Sequence, residues 1–576
     1  MLRLLPIQIL LAALGAVNGI VSSLFASNAI GSSALGAVGL DGPISMLLSA
    51  VSILLVGGAS ILCSTYLGRN ERGKMQGVFS LDLLVAAMVA AVFIAVLVLL
   101  GALDLTAGFT KDPAVRAHFN RYLLGQSIGV FPMLLGSQLA SFLSLENQTR
   151  RVNAAGVTFI AANAALTYLF VSRLQMGSFG LALAGSLAEW VFFAVEAGYF
   201  LSRRAVLRFS LRACDWSELG KVCKIGLPGA AGNGYQTLRG YIVNALLVQF
   251  VGSAGLSAFA ACNSFLGLFW AVPNGMLAVS RMLIGVSVGE EDRQSLTDIM
   301  RVMLRRYVPM VLLMALVLSA LADPLTRLYC RDSAASVYAM TRWGFRILPF
   351  CMPLSVPAMH VVCCGQTLDR HKLVHLLSLL DGVVCVSAFS ALLIPAIGTT
   401  GLYVANVLNG VTTIAVILAD AWRRGGAFPR SMEALLVLPR DFGALPDERM
   451  DLSVRSLEEV CTISGQVQEF CRECGVDGRR ALLSALFLEE MAGNVVAHGF
   501  GKDRRRHSVD VRVVCRRQKV ILRVRDDCVP FDPEERARIA AETDPTANLG
   551  IRMVFRMAEK VEYQSILGLN VLTIHI

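Results

Sequence analysis

Charge is what this sequence has least of. Asp, Glu, Lys and Arg make up 16% of 576 residues, against roughly a quarter in soluble domains, which excludes a chain that folds in water throughout. A disulfide framework is also missing. The 14 cysteines are scattered, several inside apolar runs (Cys63, Cys262, Cys363, Cys364, Cys385), and read as small core residues of a protein whose soluble parts face a reducing compartment. Cys471 and Cys474 form a CxxC without the second pair that a structural zinc site needs. No cleavable leader is expected, because the apolar run from Leu4 lacks a cleavage site and continues as an ordinary span. What remains is apolar residue, 55% of the chain, with a strongly positive mean hydropathy. The composition describes a polytopic membrane protein set in lipid, and no nucleic-acid partner is expected.

A window of about 20 residues predicts about twelve spanning helices. They fall near Leu4–Ile30, Pro43–Tyr66, Leu81–Leu100, Tyr122–Leu143, Val152–Val171, Phe179–Leu201, Ile225–Val251, Leu256–Leu283, Tyr307–Leu321, Phe345–Cys364, Leu373–Ile394 and Gly401–Trp422. Basic residues crowd alternate loops, among them Arg69, Arg72, Lys74, Arg150, Arg151, Arg203, Arg204, Arg301, Arg305, Arg370 and Arg423. The positive-inside rule then puts both termini in the cytoplasm, at the plasma membrane.

Sliding the sequence on itself by about 220 residues reveals an internal repeat. "TKDPA" around Asp112 meets "CRDSA" around Asp332, and Pro132 meets Pro349. "NQT" ending at Thr149 meets "GQT" ending at Thr367, and "GSFGLALA" from Gly177 meets "GTTGLYVA" from Gly398. The matches keep their order and are polar, Gly or Pro landmarks. Residues 1–422 thus form two six-helix repeats, about 1–205 and 220–422, of one orientation, an arrangement that places substrate between the halves. Ionisable groups deep in apolar runs are functional candidates by default. Asp381, Glu189 and Arg239 qualify, Gln236 sits one turn from Arg239, and the repeat places Asn163 opposite Asp381.

"AVNGIVSSLFASNAIGSSALGAVGLDGPI", "LGRNERGK" and "YLLGQSIGVFPMLLGSQLASFLSLENQTRRVNAAGVTFIAANAALTYLFV" resemble the multidrug and toxic compound extrusion (MATE) family. The resemblance implies two six-helix lobes that alternate between inward and outward openings, usually driven by sodium or protons. Cation-coupled members often carry an acid in the first helix, where this chain reads Val21, Ser22, Ser23. The wider superfamily, with its lipid-linked saccharide flippases, leaves the substrate open between a small molecule and a lipid-linked one.

Residues 423–449 read as a linker with one short surface helix. From 450 to 576 the texture is that of a soluble domain. "MDLSV", "HSVDVRVVCRR", "KVILRVRDD" and "NVLTIHI" alternate as strands, and Ser456–Cys474, Gly478–His498 and Leu549–Lys560 read as helices. The sum is a two-layer α/β sandwich with a mostly antiparallel sheet. In "LFLEEMAGNVVAHGF" the residues Glu490, Asn494 and His498 recur every four positions, one polar stripe on a helix.

"LEEMAGNVVAHGF", then "VRDDCVPFDP", then "NLGIRMVFRMAEKVEY" resemble the ATP-binding domain of the gyrase, Hsp90, histidine-kinase and MutL (GHKL) superfamily, nearest its anti-sigma-factor serine kinases. The resemblance implies that Asn494 ligands a Mg²⁺ bridging the ATP phosphates and that Glu490 acts as catalytic base. It implies that Asp526 accepts from the adenine amino group, that Gly550 opens a helix toward phosphate, and that His498 lines the pocket. Two departures stand out: Cys528 replaces a glycine and is expected to crowd its turn, and the glycine-rich lid shrinks to Gly550 after Asn548. The expected function is a MATE-type efflux transporter with a Mg-ATP-binding regulatory domain. A membrane-anchored serine/threonine kinase with an antagonist-like protein partner and a lipid-linked saccharide flippase are the alternatives, and the degenerate motifs leave kinase activity open.

Overall fold

The computed structural model describes residue 9 and residues 32–69, 71–108, 113–146, 148–202, 205–329, 336–439, 442–502, 507–516, 518–529, 533, 549–566 and 569–576. The expected first span, with Val21, Ser22 and Ser23, and Asn548 lie outside the described residues. Two compact units emerge, one of residues 1–290 and 294–438, the other of Pro439–Ile576 with Glu291–Arg293.

The first unit is all helix. Its first half contains α1 (Ser32–Gly68), α2 (Arg72–Ala102), α3 (Pro113–Leu145), α4 (Thr149–Thr167, continued by a π turn Tyr168–Arg173) and α5 (Gly177–Phe200). Its second half contains α6 (Leu219–Phe250), α7 (Ser253–Phe269), α8 (Ala271–Gly289), α9 (Arg293–Val302), α10 (Val308–Ala320), α11 (Ala322–Tyr329), α12 (Ser336–Ile347), α13 (Cys351–Thr367), α14 (His371–Leu379), α15 (Cys385–Ile397) and α16 (Thr399–Gly425). Among the described residues, 10 helical stretches are long and apolar enough to cross a membrane. α6 is as long, at 32 residues, but Lys221, Lys224 and Arg239 lower its hydropathy.

Several predicted starts fall too late, the third span beginning at Arg72 rather than Leu81 and two later ones showing why. The ninth span begins at Arg293 and the tenth at Ser336, rather than at Tyr307 and Phe345. Their first turns are amphipathic helix, and a hydropathy window counts their arginines as loop.

The two halves meet along α1 through small residues. A Cβ on Gly226 of α6 would lie 1.9 Å from the Leu54 carbonyl oxygen, and one on Gly289 of α8 would lie 2.2 Å from the Thr65 carbonyl oxygen. Only glycine permits backbones this close, the way helices pack in lipid where apolar burial gives little drive. At the end of the seam Tyr66 donates to Glu218 (2.7 Å), and Lys221 pairs with the same carboxylate at 2.8 Å.

The second unit is an α/β sandwich. After α17 (Met432–Leu436) in the preceding segment come β1 (Arg449–Val454), α18 (Leu457–Glu473), α19 (Gly478–Asn494), β2 (Val509–Arg516), β3 (Lys519–Asp526), α20 (Leu549–Met557), β4 (Lys560–Ile566) and β5 (Leu569–His575). The sheet order is β1-β2-β3-β5-β4, and each neighbouring pair is antiparallel. β2 alternates buried and accessible residues along its whole length. Its inward valines Val509, Val511 and Val513 pack with Val467, Phe487 and Leu488 in one core. Ser456 caps α18 by accepting from the Glu459 amide. One expectation fails here: Lys560 ends no helix but opens β4 (Lys560–Ile566).

Candidate functional site

In the membrane unit the sequence candidates divide between the two halves. Asp381 sits in a π turn, Leu380–Val384, between α14 and α15. The extra residue in such a turn re-aims a side chain and leaves backbone carbonyls free, a feature frequent at functional positions. Both consequences are visible. Asn409 Nδ2 of α16 donates to Asp381 Oδ1 (2.7 Å), and Arg239 Nη1 of α6 donates to the Asp381 carbonyl (3.3 Å). Asp381 lines a cavity of about 210 Å³ with Gln236, Arg281, Gln366, Ser378 and Thr413. Amide, hydroxyl, guanidinium and carboxylate groups thus converge on a hollow otherwise walled by Leu277, Val362 and Leu377.

Asn163 and Glu189 lie elsewhere, in the first half. Asn163 is 2% exposed and accepts from Thr167 one turn on (3.3 Å). Its Oδ1 stands 4.0 Å from where Gly185 would carry a Cβ, which brings α4 and α5 together one turn before Glu189.

Three further polar residues of this half are deeply buried. Asp82 and Glu196 are 2% and 0% exposed, and Gln138 is 0% exposed. All their side-chain polar atoms lack a hydrogen-bond partner. Phe79 and Phe142 meet edge to face at 4.9 Å, and α2 and α3 run antiparallel. Asp82, three residues after Phe79, and Gln138, four before Phe142, therefore stand at one level on facing sides of that pair. Each is a lone polar residue in an apolar run, the same signal that singles out Asp381.

In the second unit a cavity of about 410 Å³ opens beside β3, and Asn494, His498, Asp526 and Cys528 all line it. Three of the sequence candidates are therefore gathered, from the end of α19 and the end of β3. The four-residue stripe does not run straight through, because α19 ends at Asn494 and residues Val495–Gly499 form a π turn that rotates His498 off the face of Glu490. Glu490 and Gly550 do not line the cavity; they adjoin each other and precede its lining residues Met491 and Ile551. A Cβ on Gly550 would lie 1.9 Å from the Glu490 carboxyl carbon, so a larger residue at the start of α20 would have to push that carboxylate aside. The carboxylate lies against the positive end of that helix, where an anion is favoured.

The acid at the cavity is held in place. Asp526, 7% exposed, accepts on Oδ1 from the Cys528 amide (3.0 Å) and from Asn570 Nδ2 (2.8 Å). Asn570 also donates to the Cys528 carbonyl (3.0 Å) and accepts from the Tyr563 hydroxyl (3.0 Å). The chain Tyr563–Asn570–Asp526 crosses from β4 through β5 to β3 and was not drawn from the sequence; an Asn paired with the Asp in register is visible only once the strands are paired. Asn494 Nδ2 donates to Glu490 Oε1 (2.8 Å), which leaves the amide oxygen of Asn494 to act as acceptor.

The turn at Cys528 is not strained by its side chain. Its φ is not positive, so the backbone there does not require glycine. The CxxC pair divides: Cys474 is exposed, while Cys471 is buried with its Sγ 3.5 Å from that of Cys515. That shared contact holds the Cys471 thiol below its usual range.

The MatE family model matches residues 9–169 and 228–379, together more than half of the chain. A model described as histidine kinase-like ATPase domain matches residues 454–576. The multidrug resistance protein NorM of Vibrio parahaemolyticus is 24% identical over 179 residues, 30% of this chain and 39% of that protein. A protein of Bacillus subtilis carrying the same NorM name is 25% identical over 244 residues, 39% of this chain and 51% of its own. The chain thus spans about half or less of the length of these curated relatives. A MATE protein solved in complex with MaL6 superposes with a TM-score of 0.69 at 19% identity, over 76% of this chain and 96% of its own. A MOP superfamily transporter from Pyrococcus furiosus does so with a TM-score of 0.67 at 18% identity, over 75% and 95%. At these identities the likeness is one of fold.

Proposed function

The chain belongs to the MatE family and ends in a histidine kinase-like ATPase domain, and from that premise we propose that it is a MATE-type efflux transporter whose nucleotide-binding domain regulates it. Both termini face the cytoplasm at the plasma membrane. The observation that carries the transport reading is Asp381, an acid re-aimed by a π turn onto a polar cavity within an apolar helix. A charge at that depth costs several kcal/mol unless it is paired or hydrated, and its Asn409 bond compensates only in part. Binding of a cation or a cationic substrate at Asp381 supplies the rest. Arg239, held on the backbone of the same turn, then responds to any change in that turn's geometry.

The residues of the second unit fit Mg-ATP. Asp526, preset by Asn570 and the Cys528 amide, presents Oδ2 to the adenine amino group, a pairing that a neutral acceptor matches poorly. Asn494, its amide nitrogen committed to Glu490, presents its oxygen to Mg²⁺, a hard cation that takes oxygen ligands. Bound magnesium would neutralise phosphate charge. Gly550 lies at the α20 N-terminus, whose positive end favours phosphate, and Glu490 at that helix start is placed to accept a proton from an attacking hydroxyl. The Glu490–Asn494 bond is the specific observation favouring a second reading, phosphotransfer to a protein serine or threonine, in which the membrane unit is the sensor.

The deciding experiment is dye accumulation in cells expressing wild type, Asp381→Asn or Glu490→Ala. Asp381→Asn is expected to abolish efflux at unchanged expression. Efflux equal to wild type in that variant sinks the transport reading. Efflux equal to wild type in Glu490→Ala, with loss of phosphate transfer from radiolabelled ATP, moves the second unit to the kinase reading.

A further inference from the structure

His507, Asp527 and Cys528 form a cluster of three different donors whose ligand atoms all lie within 4.8 Å of one another. The register of the sheet explains why they meet. Val509 pairs with Asp526 across β2 and β3, and continuing that antiparallel register two residues past the ladder sets His507 opposite Cys528. His507 Nδ1 contacts Asp527 Oδ1 at 2.7 Å, with side-chain exposures of 1% and 32%. Cys528 is 8% exposed. The Phe500 ring lies 5.7 Å from the imidazole centroid and walls one side.

We propose that Cys528, His507 and Asp527 are the protein ligands of a borderline-soft divalent transition metal of the zinc class. The donor set points to that chemistry. One thiolate, one imidazole and one carboxylate suit zinc, which takes four ligands and in open sites takes three from protein and one from water. Magnesium, which demands six oxygens in a regular octahedron, is poorly served by sulfur and nitrogen, so the site is distinct from that of the nucleotide's cation. The contact between imidazole and carboxylate opens by roughly half an ångström when a metal with bonds of about 2.0–2.1 Å replaces the proton between them. Loading therefore releases protons from the thiol and from the imidazole–carboxylate pair and weakens as pH falls. Cys528 stands where the resembling ATP-binding domains carry glycine.

The location gives the site a consequence. The Cys528 amide donates to Asp526, and its carbonyl accepts from Asn570, both parts of the nucleotide cavity. The metal thus binds one peptide away from the residue assigned to adenine.

The test uses the full-length protein in detergent, stripped of metal and titrated with Zn²⁺ alone against a chromophoric chelator, in wild type, Cys528→Gly, His507→Gln, Asp527→Asn and Cys474→Ser. Wild type and Cys474→Ser are expected to take up one tight equivalent that Mg²⁺ in large excess does not displace. Cys528→Gly and His507→Gln are expected to lose it, and Asp527→Asn to weaken it at least tenfold. Co²⁺ in place of Zn²⁺ should give a thiolate charge-transfer band that vanishes in Cys528→Gly. Cys528→Gly restores the residue common in this fold, so its folding is expected to survive, and metal-free unfolding temperatures check that for every variant. Equal zinc affinity in wild type and folded Cys528→Gly, loss only in Cys474→Ser, or ready displacement by Mg²⁺ each overturns the proposal.

Discussion

Two sets of buried polar groups, one in each unit, are held in opposite ways. In the second unit the acid at the cavity, Asp526, is held by a backbone amide and by Asn570, and the asparagine is itself held by Tyr563. In the membrane unit Asp82, Gln138 and Glu196 are as deeply buried and bond to nothing. A satisfied network fixes one geometry and prepares it for a ligand. Unsatisfied groups raise the energy of the conformation that contains them by about 1–3 kcal/mol each. The second unit is therefore built to wait in one shape, and the membrane unit carries a bias against the shape described. A transporter that alternates between states needs its states close in energy, and unpartnered carboxyls are one way to bring them so.

Breaking the satisfied side gives the largest effect. Asp526→Asn replaces an acceptor pair with an amide that must turn an NH₂ toward either Asn570 Nδ2 or the ligand amino group. Mg-ATP binding to the full-length protein is expected to weaken on the order of a hundredfold, about 3 kcal/mol. Isothermal titration would show it, and an affinity within threefold of wild type would mean that Asp526 does not read the base.

The part of this network written in the sequence is instructive. Asp526, Asn494 and Gly550 were legible because each sits in a short motif with fixed spacing. Asn570 and Tyr563 were not, because their role comes from strand pairing 44 residues away, which no local pattern encodes. His498 lines the cavity, but not on a straight helical stripe, since Val495–Gly499 is a π turn that the apolar residues Val495 and Val496 do not announce. In the membrane unit the two-repeat plan was legible in Gly, Pro and polar landmarks. The starts at Arg293 and Ser336 were not, because hydropathy does not distinguish amphipathic helix from loop.

The opposite half of the comparison predicts a gain. Replacing Asp82 with Leu, whose side chain has the same number and branching of heavy atoms, removes two unsatisfied oxygens and adds apolar surface. Asp82→Leu is expected to stabilise the membrane unit by about 1–3 kcal/mol, seen as a higher unfolding temperature in detergent, while slowing efflux because one state is now favoured. The same exchange at Asp526 is expected to destabilise, since it strands the Asn570 amide. A lower unfolding temperature for Asp82→Leu would show that its carboxyl is satisfied after all and would erase the contrast between the units.

The smallest effect is expected at Cys528, and it tests whether the second unit is as rigid as its hydrogen bonds suggest. A glycine there cannot relieve strain, because the φ of Cys528 is not positive. What it removes is a thiol whose Sγ would come within 3.1 Å of a Cβ built on Gly499, and with it a small patch of packing between β3 and the π turn that carries His498. What it adds is backbone freedom in the unfolded chain, worth about 0.5–1 kcal/mol against folding. In metal-free protein Cys528→Gly should therefore unfold slightly earlier, by about 1 kcal/mol in all, and bind Mg-ATP within threefold of wild type, because the Cys528 amide and carbonyl that hold Asp526 and Asn570 are backbone groups and remain. A tenfold gain in affinity would instead mean that the thiol itself obstructs the nucleotide, and the cavity wall would have to be counted as a barrier rather than as a preset surface.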